Sequence, residues 1–161
     1  MDRPTKILAT LTLPLLMLAA PGAVYGAAAC PPTPPDEIGP FYRPSPPVRS
    51  KIGSGYVLEG TVRSSVDCRP IPGARIEVWQ AGPNGTYDDA HRATLFADSN
   101  GRYRLETDFP PPYARRPSHV HILVDARDFE GLITQHYPRK GSRQARFDLV
   151  LAPEKQEPVR P

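Results

Sequence analysis

Tyr113-Ala114-Arg115-Arg116-Pro117-Ser118-His119-Val120-His121, running on into Ile122, Leu123 and Val124, places two polar rings at the head of an apolar, β-branched run. Such a run predicts a strand. Alternate residues of a strand share a face, so both imidazoles of His119 and His121 leave the same side. Two imidazoles side by side make half of a metal site. The alternative is a pair of surface histidines on a half-exposed strand.

The same two-residue period recurs on either side of this stretch. Tyr56 to Arg63, Arg75 to Trp79, Ala93 to Ala97, Arg102 to Glu106, Leu132 to Gln135 and Ala145 to Leu151 all read as short strands. Arg75-Ile76-Glu77-Val78-Trp79 alternates polar with apolar, which predicts a half-buried strand. Turn signals separate these runs, among them Asp67-Cys68-Arg69-Pro70-Ile71-Pro72-Gly73 and Asp98-Ser99-Asn100-Gly101. No stretch has helical periodicity. The chain is therefore expected to be all-β, folded as an antiparallel β-sandwich over residues 56–152.

The 161 residues suit one domain. Residues 1–26 read as a secretory signal: Arg3 and Lys6 precede a mostly apolar run from Ile7 to Ala20, which Pro21-Gly22 ends. The run is too short for a membrane span, and the chain is expected to be exported, to the periplasm or beyond the cell. The alternative is lipoprotein processing, which would anchor the chain through Cys30. Of the 22 prolines, many crowd into residues 27–55, in Cys30-Pro31-Pro32-Thr33-Pro34-Pro35 and Pro44-Ser45-Pro46-Pro47. Proline fixes its own backbone and restricts the residue before it, so this segment is expected to be an extended arm that wraps the domain or leads into it. Gly39-Pro40-Phe41-Tyr42 carries two aromatics that suit packing better than linking. Residues 153–161 are charged and predict a frayed tail. Cys30 and Cys68 are the two cysteines of the chain, and in an oxidising compartment they are expected to pair. The formal net charge of +3 is spread without a long basic run, which argues against a nucleic-acid partner.

Two loop tyrosines join the histidine pair as candidate ligands. Tyr87 ends Asn84-Gly85-Thr86-Tyr87 just after the Trp79 strand, and Tyr113 ends Pro110-Pro111-Pro112-Tyr113. Singly, each is an ordinary turn anchor. Together with His119 and His121 they form an oxygen and nitrogen donor set without thiolates. A phenol titrates near pH 10, so its use as a ligand at neutral pH requires a strongly Lewis-acidic ion, and Fe(III) meets that need.

At this point the chain resembles the intradiol ring-cleavage dioxygenases, the catechol and protocatechuate dioxygenase family. The likeness runs through Gly39-Pro40-Phe41-Tyr42, Cys68 to Ala74, Glu77-Val78-Trp79-Gln80-Ala81, Gly85-Thr86-Tyr87, Thr107 to Tyr113, Arg116-Pro117-Ser118-His119-Val120-His121 and Leu132-Ile133-Thr134-Gln135, in family order. The resemblance implies a non-haem Fe(III) held by Tyr87, Tyr113, His119 and His121, with Tyr113 and His121 axial. It implies a catechol-type substrate and O2, and ring cleavage between the two hydroxylated carbons to a muconate-type diacid. It further implies that Tyr113 leaves the iron when substrate binds, and that Arg116 and Gln135 stand beside the reacting ring. The sequence differs from the family pattern in lacking the helical dimerisation segment of the catechol branch, in the short spacing of its two tyrosines, and in its export signal. A homo-oligomer is left open. A carboxylated ring would find Arg115, Arg139 and Lys140 as candidate partners.

Two other readings compete. Gly60-Thr61-Val62 to Ala74, with Asn100-Gly101-Arg102-Tyr103, also resembles transthyretin-like modules, which bind or support and do not catalyse. A three-histidine copper or zinc site would recruit His91 or His136, which otherwise read as a loop residue and a strand-end residue.

Overall fold

The computed structural model describes residues 30–155. The expected secretion signal, the first residues of the arm and the last residues of the tail lie outside them.

Among the described residues the chain forms eight strands and one short 3-10 helix at Asp89–His91. The strands are β1 (Tyr56–Ser64), β2 (Arg75–Trp79), β3 (Arg92–Phe96), β4 (Arg102–Thr107), β5 (Val120–Asp125), β6 (Leu132–His136), β7 (Gln144–Arg146) and β8 (Leu149–Leu151). One sheet has the order β4-β1-β7, with β8 also paired to β1; the other has the order β3-β2-β5-β6. Period-two alternation sends Tyr56, Leu58, Val62, Leu105, Leu149 and Leu151 inward from the first sheet. They meet Ile76, Val78, Leu95, Val120, Ile122 and Val124 from the second in one buried cluster. The fold is thus the all-β sandwich that the alternation predicts.

Most ladders are antiparallel, but β7 and β8 run parallel to β1. Parallel pairing needs a long crossover, and the excursion through the whole second sheet supplies it. The expected single strand from Ala145 to Leu151 is divided between Arg146 and Leu149. There Phe147 N–H donates to the Glu59 carbonyl at 2.8 Å, and the Asp148 carboxylate accepts from Thr61 N–H at 2.9 Å. A side chain replaces a backbone carbonyl in the ladder, so the strand breaks. Gly60 permits this approach: a Cβ there would stand 2.0 Å from the Phe147 carbonyl oxygen.

The arm wraps the sandwich. Asp36 N–H donates to Ile133 O at 2.9 Å, Thr94 N–H to Pro47 O at 2.9 Å and Ile52 N–H to Glu106 O at 2.9 Å. A disulfide joins its start, Cys30, to Cys68 in the β1–β2 connection. The arm explains why β2 is not half-buried as its alternation predicts: Glu77 and Trp79, on the outward face, are 0% and 2% exposed. Glu77 is met there by Arg75 of its own strand, by the Tyr42 hydroxyl at 2.7 Å and by Ser45 N–H at 3.0 Å.

His136 faces the interior, where its Nε2 lies 2.8 Å from the Tyr56 hydroxyl. Burial pushes this imidazole down to about 4 from an ordinary 6.5. The unfolded chain takes up a proton at this ring below pH 6.5 that the fold refuses until about pH 4, so stability falls as pH drops through that window. His136→Gln is expected to make the decline shallower, the wild-type loss from this ring being on the order of 1–3 kcal/mol. Urea unfolding at several pH values checks this; equal slopes in both proteins would exclude the role.

Candidate metal centre

The site is built on the outward face of the β3-β2-β5-β6 sheet, beneath the arm. Strand register aligns Arg92, Trp79, His121 and Gln135 in one row across that face. The His121 ring lies flat against the Trp79 indole, with centroids 4.9 Å apart and planes 4° from parallel. His119, two residues back on the same face, presents its ring edge-on to His121 at 4.8 Å. Both histidines are buried, at 3% and 2% exposure. The arm crosses directly over them at Gly39, whose φ of +70° favours glycine and where a Cβ would stand 2.9 Å from His121 Cε1.

Tyr87 reaches the histidines from the loop after β2. That loop is closed by Gly82 N–H donating to Thr86 O at 2.8 Å and by Asn84 Oδ1 accepting from Thr86 N–H at 3.1 Å. The Tyr87 hydroxyl lies 3.0 Å from His119 Nε2 and 3.4 Å from His121 Nε2. Its ring stacks on Phe41 of the arm at 4.4 Å. Buried Arg92 donates to the Phe41 carbonyl at 2.6 Å and to the Tyr87 carbonyl at 3.4 Å, tying arm and loop together.

Tyr113 sits in a tight turn with Arg116, held by Tyr113 N–H to Arg116 O at 3.2 Å and Arg116 N–H to Tyr113 O at 2.9 Å. Its ring packs edge-on to Tyr87 at 5.2 Å and to Phe41 at 5.4 Å. Its hydroxyl makes no hydrogen bond to either histidine among the described residues. The structure therefore brings Tyr87, His119 and His121 into direct polar contact and sets Tyr113 beside them.

Arg116 and Gln135 enter a network with the arm. Arg116 donates to the Tyr137 hydroxyl at 2.9 Å and stands 3.9 Å from Asp36 and 3.8 Å from Glu37. Tyr137 lies 2.8 Å from an Asp36 carboxylate oxygen, and Gln135 Nε2 donates to the Glu37 carbonyl at 2.7 Å. Asp36, Glu37 and Tyr137 have no signature in the sequence. Trp79 and Arg92 become visible only through strand register, whereas Phe41 and Tyr42 announce themselves as aromatics in a proline-rich arm. Arg115, Arg139 and Lys140 are exposed.

His91 and His136 do not join the centre. His91 lies between Asp88 and Asp108, and His136 belongs to the core. Among the described residues no three His, Cys, Asp or Glu side chains gather to hold a metal, so the three-histidine reading lacks its third ligand.

The protonation of the site suits a metal with phenolate ligands. His119 Nδ1 lies 2.7 Å from the Pro117 carbonyl. A carbonyl only accepts, so Nδ1 carries the hydrogen and the Nε2 lone pair faces Tyr87. Burial, and next the neighbouring His119, push His121 down to about 4, which keeps it a neutral donor. Its Nδ1 has no hydrogen-bond partner although buried; the Glu37 carbonyl is near enough to favour a charged ring but falls outside hydrogen-bond geometry. Burial pushes the Tyr87 phenol up to about 12, against the pull of the Arg116 cation. Only a strongly Lewis-acidic ion would ionise such a phenol near neutrality. The donors present thus fit Fe(III).

The dioxygenase family model matches residues 45–158. A chlorocatechol 1,2-dioxygenase of Pseudomonas putida is 32% identical over 133 residues, covering 62% of this chain and 51% of that protein. The chain belongs to the intradiol ring-cleavage dioxygenases. A catechol 1,2-dioxygenase of Candida albicans is 30% identical over 138 residues, covering 62% of this chain and 45% of that protein. The chain thus spans about half the length of the curated relatives it matches. Among solved structures, the dioxygenase domain of a dioxygenase–carbohydrate-binding protein fusion from Streptomyces sp. SirexAA-E superimposes with a TM-score of 0.70 and 27% identity. That match covers 77% of this chain and 100% of the domain. Hydroxyquinol 1,2-dioxygenase from Pseudomonas putida DLL-E4, at 21% identity and a TM-score of 0.66, shares the fold over 80% of this chain and 68% of its own.

Gly39→Ala is expected to press a methyl group on the His121 ring and to strain the arm, destabilising the fold by about 1–2 kcal/mol. Thermal melting measures the loss. An unchanged melting temperature would mean that the arm does not bear on the histidine.

Proposed function

We propose that this chain is a non-haem Fe(III) intradiol dioxygenase. It uses O2 to cleave a catechol-type ring between its two hydroxylated carbons, giving a muconate-type diacid. The observation that carries this reading is the approach of the Tyr87 hydroxyl to the Nε2 atoms of His119 and His121, at 3.0 and 3.4 Å, in a chain of the intradiol family. Tyr87, Tyr113, His119 and His121 would hold the metal. The ferric ion would supply the Lewis acidity that ionises phenols and the electronic coupling that lets a bound catecholate react with O2.

The chain's own groups do the rest. The Pro117 carbonyl holds His119 in the ligating tautomer, and Trp79 keeps the His121 ring flat against β2. The Tyr87 hydroxyl, 3.0 Å from His119 Nε2, would have to give up its hydrogen for both atoms to serve as donors to one ion. Tyr113 would be the second phenol donor, and its phenolate oxygen would be the group that takes a catechol proton. Arg116 acts on negative charge that builds in the reacting ring. Its reach to the centre is supported by the pull it exerts on Tyr87 and His121. Gln135 is held by the Glu37 carbonyl with its amide on the same row as His121.

Export is part of the proposal. The Cys30–Cys68 bond suits an oxidising compartment, and a sulfur in a disulfide has no valence left for a lipid thioether. No helix among the described residues is long and apolar enough to cross a membrane.

Purified protein is expected to carry about one iron per chain and a visible phenolate charge-transfer band, and iron uptake by the metal-free form should release protons. Tyr87→Phe should lower iron content and colour together. Tyr113→Phe should keep part of the iron, shift the band and reduce kcat roughly 100-fold while KM changes little. Arg116→Ala should leave iron and colour in place and lower kcat by about 100-fold. Iron analysis, absorption spectra and oxygen uptake decide the matter. Wild-type colour and activity in both tyrosine variants would sink the reading.

A vicinal diol ring should be consumed with O2 and a monophenol should not, because two adjacent oxygens are needed to chelate one ion. A yellow semialdehyde product would point instead to cleavage outside the diol.

A further inference from the structure

The two tyrosines reach the centre on separate loops, and one histidine outside the centre touches both. His91 Nδ1 lies 2.7 Å from Asp88 Oδ1, and Asp88 directly follows Tyr87. His91 Nε2 lies 3.3 Å from Asp108 Oδ2, and Asp108 opens the segment that leads to Tyr113. Between Asp108 and Tyr113 stand Phe109 and Pro110-Pro111-Pro112. Phe109 packs edge-on against buried Tyr56 at 5.6 Å, and three prolines in a row make a stiff extended rod. Asp108 and Tyr113 are therefore joined by a segment with little slack.

The surroundings of His91 are shaped to hold this bridge. A Cβ at Gly82 would stand 2.4 Å from His91 Cε1, and one at Gly53 would stand 2.3 Å from Asp108 Oδ2. Backbone thus lies directly on the imidazole and on the carboxylate, with no room for a side chain. Fully buried Gln80 runs a second tie across the same gap. Its N–H donates to His91 O at 3.2 Å, and its Nε2 donates to Asp108 O at 3.0 Å. Arg49 of the arm fixes the far side by donating to Arg92 O at 2.9 Å.

We propose that His91 is a positioning residue which, by bridging Asp88 and Asp108, sets the separation of the loops that carry Tyr87 and Tyr113. This rests on the reading of those tyrosines as the phenol ligands. A single ion accepts two phenolate oxygens only at a fixed spacing, and the ring contact between Tyr87 and Tyr113 at 5.2 Å is too weak to impose it alone.

The test compares wild type with His91→Phe, which keeps a ring of similar width and removes both polar contacts. Hydrogen exchange on the metal-free proteins is the first readout. Exchange at the Gly82–Tyr87 amides and at the Tyr113–Arg116 amides is expected to rise together, roughly 10-fold, with β1 and β5 unchanged. Iron affinity is expected to fall roughly 10-fold, with a displaced phenolate band. Asp108→Asn in otherwise wild-type protein, which keeps an acceptor for the ring, should retain most of the wild-type exchange protection and iron affinity. Loosening confined to Asp88–Arg92, with wild-type affinity and band, would overturn the proposal. Should His91→Phe not fold, Asp108→Ala cuts one arm of the bridge. It should loosen Tyr113–Arg116 and move the band, and wild-type behaviour in it would equally overturn the proposal. Wild-type protein that binds no iron would sink the dioxygenase reading, whereas the exchange data on metal-free protein still decide whether His91 joins the two loops.

Discussion

The Glu77 carboxylate, wholly buried on the outward face of β2, is the constraint on which the site depends. An ion so placed costs several kcal/mol unless its oxygens are met. Two of its partners, Tyr42 and Ser45, come from the arm. An undocked arm would leave the charge with Arg75 alone, so the sheet face is satisfied only when the arm is in place. The same docking presses Phe41 on Tyr87 and Gly39 on His121. One buried acid thus couples the N-terminal segment to the position of the candidate ligands, although Glu77 touches none of them.

The cover that satisfies Glu77 also sets the chemistry of the rings beneath it. Removed from water, His121 resists protonation and Tyr87 resists ionisation. Each effect is a desolvation cost on the charged form. A neutral imidazole is what a cation needs, and a reluctant phenol is what only a strong Lewis acid overcomes. A metal held at the proposed site would have to supply the work of displacing one proton. Arg116 tempers this by lowering the cost of a phenolate nearby, while Asp36 and Glu37 keep the guanidinium from standing as an isolated charge.

Period-two alternation in Tyr56–Arg63 and Arg102–Glu106 was enough to read the sandwich, because those strands have one wet face. It misled for Arg75–Trp79, where a polar residue at the second face reads as solvent-exposed whether water or an arm covers it. It also misled for Ala145–Leu151, where the interruption lies in Asp148 taking over a backbone role, a choice set by the Gly60 contact across the sheet. The histidine pair and the two tyrosines were legible because their residue types are unusual together. Trp79 and Arg92 were not, since their place on the site row depends on the pairing of β2 with β3 and β5. Asp36 and Tyr137 lie 101 residues apart and meet only in the fold.

The two tyrosines are anchored unequally. Tyr87 is held on three sides: Phe41 stacks on its ring, Arg92 reaches its carbonyl, and Asp88 beside it caps the turn at Asp89–His91. Tyr113 is held by edge-on ring contacts and by a turn in which Ala114 adopts a φ of +52°. That conformation costs a residue with a Cβ about 1 kcal/mol. A permanent ligand wants the first kind of support, and a ligand that departs and returns wants the second. The asymmetry in anchoring is what the proposed division of roles would require, with Tyr87 the firmly held phenol and Tyr113 the one freer to move.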